Sequence, residues 1–312
     1  MDALIFSFEI IFPFLLYMLA GMACRKLEVI GPEGPSKINR LVFRLFLPVS
    51  LFLSTATASP SLDQALLTIL YALACLLATF FLAWAFYAKK PIRPGQKGVM
   101  VQDAYRSNLA LFGVALTEAL LQGKGTGITE AVIGVLIPAF NLISVFILSY
   151  YGEEAVKRKE LFWKIIKNPL IDAIALGTLF RVLGIPIKGP LKTGLTSLAH
   201  VATPLALVGL GAGFSFQQTK VFRKLLYPAV FTRLLLAPGI FLSLAAALGF
   251  HGEPMVSLLA FLAGPCSVSS YAMADAMGKE GPLAGQILLY TTALCSFTLF
   301  LFISLLKAEG LI

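Results

Sequence analysis

Residues 102–121, QDAYRSNLALFGVALTEALL, place Asp103, Arg106, Asn108, Gly113 and Glu118 inside an otherwise apolar run. A second run, residues 263–277, reads AGPCSVSSYAMADAM and carries Gly264, Pro265, Ser267, Ser269, Ser270 and Asp275. A third, LIPAFNLISVF, holds Pro138 and Asn141. A guanidinium, amides and hydroxyls suit the binding of a polar ligand. Pro265 removes a backbone donor and Gly264 adds freedom, so a helix here is interrupted and frees backbone N–H and C=O groups. Lipid does not tolerate such groups, but a protein-lined cavity does.

The charged residues divide. Asp103 and Arg106 are three apart and on a helix share one face, either as an internal ion pair or as site charges. Asp275 lies beyond the interruption of its run, where it either binds a coupling cation or proton or faces cytoplasmic water. Glu118 sits a turn from a loop and is expected to be solvated. Asp172 and Arg233 fall within apolar runs and are functional candidates by default. Their partners cannot be named from sequence. Asn141 either lines a site or ties two helices together. Glu9 and His200 are expected to be structural.

These residues need helices to position them. Of 312 residues, 58% are hydrophobic and 13% charged, and mean hydropathy is +0.86. A soluble domain carries roughly 25% charged residues. Apolar runs of membrane-spanning length alternate with short polar loops, which indicates an all-α polytopic membrane protein. Ten spans are predicted, at about 4–25, 37–57, 63–88, 98–121, 127–151, 168–185, 192–215, 222–249, 254–277 and 282–306. The first lacks a positive n-region and reads as an uncleaved helix, not a signal peptide. Cys24, Cys75, Cys266 and Cys295 form no CxxC motif, so neither a disulfide framework nor a zinc site is implied.

Net charge is +9. Lys and Arg concentrate in the odd-numbered loops and their flanks, 17 against 5 on the other side. This makes the odd loops cytoplasmic and puts both termini on the extracytoplasmic side of the cell (inner) membrane. The charge is therefore assigned to the lipid bilayer and cytoplasm. No element remains free to enter a nucleic-acid groove, and no nucleic-acid partner is expected.

The chain also repeats itself. Pro13 pairs with Pro169, Gly21 with Gly177, Arg25 with Arg181, Pro48 with Pro204 and Gly125 with Gly281, each 156 residues apart. The halves are residues 1–156 and 157–312, with five spans each. An odd number of spans inverts the second copy, the arrangement of secondary transporters. Under the same offset Asn108 pairs with Gly264 and Gly113 with Ser269, so the interruptions of spans 4 and 9 coincide.

The stretches SNLALFGVAL, AFNLISVFIL, KNPLIDAIALGTL, ATPLALVGLGAGFS and GPCSVSSYAMADAMG resemble the auxin efflux carrier family, which includes bacterial dicarboxylate permeases and plant auxin exporters. The resemblance covers essentially the whole chain. It implies the fold of bile-acid sodium symporters, with spans 1, 2, 6 and 7 as a scaffold and spans 3–5 and 8–10 as a transport bundle. Spans 4 and 9 would be broken and crossing. It also implies that Asn108 faces substrate and that Asn141 fills the family's polar position in span 5. Where the family carries proline in its crossover, this chain has Ala115 and Ser270. The loop between the halves has only about 16 residues.

The expected function is alternating-access transport of a small organic anion, a mono- or dicarboxylate, with Asn108, Gly113, Asn141, Pro265, Ser267, Ser269, Ser270, Asp275, Arg106 and Asp103 as site residues. No cofactor is expected beyond a coupling Na⁺ or H⁺, and a homodimer through the scaffold is the expected assembly. Two rivals are a sensor on the same fold and an intramembrane aspartyl protease using Asp103 and Asp275. The second lacks a GxGD or HExxH motif, and its carboxylates are not repeat mates.

Overall fold

The computed structural model describes residues 2–57, 62–121, 127–152, 168–277 and 280–312. Gly125, Lys279 and the basic loop at 153–167 lie outside them. So do the side chains of Glu9, Ala115 and Glu118. The described residues are helical, apart from short connections and a single two-residue bridge.

In chain order the helices are α1 (Asp2–Lys26), α2 (Gly34–Thr57), α3 (Leu62–Ala88), α4 (Pro94–Tyr105), α5 (Leu109–Leu120), α6 (Gly127–Tyr150) and α7 (Pro169–Val182). There follow α8 (Gly189–Gly213), α9 (Phe216–Phe231 continuing through Ala237–Ala247), α10 (Glu253–Ala263), α11 (Val268–Ala276) and α12 (Gly281–Ala308). A π-helical turn interrupts α2 at Val42–Phe46 and α9 at Thr232–Leu236. Among the described residues, six helices are long and apolar enough to cross a membrane: α2, α3, α6, α8, α9 and α12. Predicted spans 4 and 9 each divide, into α4 with α5 and α10 with α11. Halves of 9 to 12 residues fall short of the ~20 that a bilayer requires. Predicted span 6 is the 14-residue α7, and span 1 is α1.

α1 packs along α8, and α2 along α7. Both contacts depend on glycine. A Cβ on Gly21 would strike the Val208 carbonyl and lie 2.9 Å from the Ala212 nitrogen. A Cβ on Gly177 would lie 2.7 Å from the Phe52 carbonyl oxygen and 3.3 Å from the Ala56 nitrogen. Gly21 and Gly177, Phe52 and Val208, and Ala56 and Ala212 are each 156 apart. One backbone contact thus occurs twice at the spacing of the sequence pairs. Close approach of this kind is how helices associate where no hydrophobic force drives them together. Gly177→Val is expected to cost about 1–3 kcal/mol by overpacking, read as a lower melting temperature in detergent. Gly194 has nothing within 4 Å of its would-be Cβ, so Gly194→Ala should melt with the parent.

Candidate functional site

α4 ends at Tyr105 because the chain turns extended at Arg106 (φ −86°, ψ 113°). Its partner α10 ends because Pro265 lacks an N–H and excludes Gly264 from helical geometry (φ −63°, ψ 155°). The two gaps, Arg106–Asn108 and Gly264–Ser267, meet. Ser107 and Cys266 form an antiparallel bridge, and the Asn108 N–H donates to the Pro265 carbonyl at 2.9 Å. Positions 107 and 266 are 159 apart, three more than the repeat offset.

A break inside a membrane protein must find partners for its backbone groups. Here they are side chains. Arg233, 1% exposed within the π-helical turn of α9, donates to the Phe261 carbonyl (2.7 Å) and to the Gly264 carbonyl (2.9 Å from Nη2, 3.1 Å from Nε). A cation on the terminal carbonyls of α10 also complements the helix dipole. The Cys266 N–H donates to Thr291 Oγ1 on α12 at 3.2 Å, and Cys266 Sγ to the Asp103 carbonyl at 3.4 Å.

In front of the crossing lies a cavity of about 600 Å³. Arg106, Ser107, Asn108, Ser267, Ser269 and Asn141 line one wall. Tyr17 of α1, Ser50 of α2, and His200 and Thr203 of α8 line the other. Among the described residues the lining contains no carboxylate. Arg106, only 2% exposed, donates from Nη2 to Asn141 Oδ1 (2.7 Å) and Ser269 Oγ (2.7 Å), and from Nη1 to Met273 Sδ (3.0 Å). Ser269 Oγ also lies 2.7 Å from Ser267 Oγ. The Asn141 amide N–H donates to the Ile137 carbonyl, which fixes its oxygen toward Arg106. α5 and α11 both begin at the crossing, so two helix N-termini bring positive dipole ends to it.

Asp103 and Arg106 do not form a salt bridge. The i,i+3 geometry is lost where the chain leaves the helix at Arg106. Asp103 is buried behind the crossing, within electrostatic range of Arg106 and Arg233 and beside Ser270. Neither carboxylate oxygen accepts a well-formed hydrogen bond from a described residue. Fixed charge at the crossing is therefore two guanidiniums against one carboxylate.

Of the ten residues read from sequence, Arg106, Asn108, Asn141, Ser267 and Ser269 line the cavity. Pro265, Ser270 and Asp103 lie behind it. Gly113 sits inside α5, where it faces Thr129 and Ile133 of α6 and lies outside the break. Asp275 is at the far end of α11, bonded to Asn39. Asp172 is exposed in the first turn of α7. His200, expected from sequence to be structural, lines the cavity. A lone imidazole in an apolar run gives no sequence sign of the wall it faces.

A family model described as membrane transport protein matches residues 6–303. The chain belongs to this family. It is the auxin efflux carrier family that the motifs resemble. A relative named an uncharacterized transporter, from Methanothermobacter thermautotrophicus, is 26% identical over 259 residues, 79% of this chain and 80% of the relative. The uncharacterized transporter YfdV of Escherichia coli K12 is 21% identical over 273 residues, 84% of this chain and 86% of the relative. The protein is thus a multi-pass member of a membrane transporter family.

Proposed function

We propose that the protein is a secondary transporter of a small organic anion, a mono- or dicarboxylate, working by alternating access at the crossing. The observation that carries this reading is Arg106: a buried guanidinium facing the cavity, outside any salt bridge, with a thioether sulfur as one of its acceptors. Two arginines and one aspartate leave a surplus positive charge, which favours an anionic ligand over a cation. A carboxylate accepts from a guanidinium bidentately, and Asn108, Ser267 and Ser269 supply directional hydrogen bonds around it.

The repeated Gly21 and Gly177 contacts support ten spans in two inverted halves, with α1, α2, α7 and α8 as the scaffold. The moving bundle would be α3–α6 with α9–α12, in elevator or rocking motion. The positive-inside count supports an inner-membrane location with both termini outside. Coupling is to Na⁺ or H⁺. Two arginines beside Asp103 disfavour a second cation there, which leaves Asp275 as the carboxylate for that role.

The test is uptake of labelled carboxylates by the purified protein in liposomes, with and without Na⁺ or a pH gradient. Carboxylate uptake that competes with other carboxylates and not with amines is expected. Asn108→Ala should lower it about tenfold, the effect of losing one hydrogen bond to a charged group. Uptake of organic cations instead, or an unaffected Asn108→Ala, would overturn the reading.

A further inference from the structure

Beyond the cavity a compact side-chain cluster ties α2 to α11. Asn39, fully buried on α2, donates from Nδ2 to Tyr271 Oη at 2.7 Å and to Asp275 Oδ2 at 2.9 Å. The acceptors lie four residues apart and so share one face of α11. The surroundings are shaped to hold them. The Asp275 carboxylate occupies the space that a Cβ on Gly281 would need, and a Cβ on Gly285 would lie 3.3 Å from the Tyr271 ring. A polar group buried this deeply is expensive without partners, and these partners come from a different helix set.

The cavity reaches Val268 and Ala272 on α11 but neither Tyr271 nor Asp275. The cluster therefore closes the route along α11 from the cavity to the face where α2 begins and α11 ends. Opening a route to that face along α11 would part α2 from α11 and break both hydrogen bonds. At the repeat offset, Asn39, Tyr271 and Asp275 correspond to Leu195, Ala115 and Ala119, none of which can form such bonds. The repeat-related positions cannot reproduce this closure, which biases the molecule toward the state in which the α2–α11 face is shut.

We infer that Asn39, Tyr271 and Asp275 form a one-sided latch, with Asn39 as a gating residue of the transport cycle. This rests on the alternating-access reading above. Thr203→Cys in a Cys24→Ser background puts a part-exposed reporter on the cavity wall, while the other native cysteines are buried. A membrane-impermeant maleimide is then applied to vesicles from each face in turn. Asn39→Ala should raise labelling from the latch face about tenfold and lower it from the opposite face. Asp275→Asn, which keeps shape and an acceptor, should fall between. Unchanged labelling in both variants overturns the latch. An equal rise from both faces also overturns it, because that means loosened packing. Labelling needs no substrate, so the two readings fail separately. Shifted labelling without carboxylate uptake leaves the latch standing and removes the anion. Uptake with unshifted labelling does the reverse.

Discussion

Arg106→Gln is expected to reduce carboxylate uptake in liposomes at least about 100-fold while leaving the protein folded. Loss of a buried charge that meets an opposite charge typically costs 2–5 kcal/mol, and about 2.7 kcal/mol is 100-fold. A guanidinium has five N–H donors. The protein supplies acceptors on Asn141, Ser269 and Met273, and Nε has none. One Nη1 hydrogen and Nε are left without an acceptor among the described residues, and the residue lines the cavity. Arg106→Lys keeps the charge as a point but loses the planar fork, so an intermediate loss of about tenfold is expected. The stability readout separates binding from structure. Relief of an incompletely satisfied buried cation offsets the loss of one of the two cations beside Asp103, so Arg106→Gln should melt near the parent temperature. Uptake that survives Arg106→Gln would remove the basis of the anion proposal.

Arg106 was legible as a candidate because a charge in an apolar run stands out, and the sequence pairs 156 apart pointed to its partner segment. One of those pairs, Gly21 with Gly177, falls in matching close contacts of α1 with α8 and α7 with α2. The location of the breaks was only half legible. Gly264-Pro265 interrupts a helix by local chemistry, and the gap falls there. Arg106-Ser107-Asn108 contains neither glycine nor proline. The bridge to Cys266 and the bond to Pro265 hold it extended, and both are long-range. The repeat offset brings Asn108 into the break, but Gly113, which the same offset pairs with Ser269, is ordinary helix. The same limit applies to Asn39 and His200. Each is an isolated polar residue whose partner or facing wall comes from chain more than 55 residues away.

Arg233 shows that limit most sharply, and its substitution carries the largest expected effect on stability. Sequence marks it as an intramembrane charge with no partner. In the fold it holds the end of α10 by three bonds to two carbonyls. Arg233→Met keeps much of the apolar stem and removes all three donors. The Phe261 and Gly264 carbonyls then lose these bonds in the interior, and Asp103 keeps only one of its two neighbouring cations. Breaking a buried charged network by removing one partner costs about 3–5 kcal/mol. A marked fall in melting temperature is expected, together with loss of uptake, since Ser267 and Ser269 follow directly from Gly264. Adding Asp103→Asn to Arg233→Met removes the stranded carboxylate. The double variant should therefore be more stable than the sum of the two single losses, a coupling of the 0.5–3 kcal/mol range seen for interacting neighbours. Arg106→Gln and Arg233→Met thus differ in kind. The first should lose transport without losing stability, and the second should lose both. An Arg233→Met protein that melts with the parent would show that the crossing is held by the Ser107–Cys266 bridge and the surrounding packing, without the guanidinium.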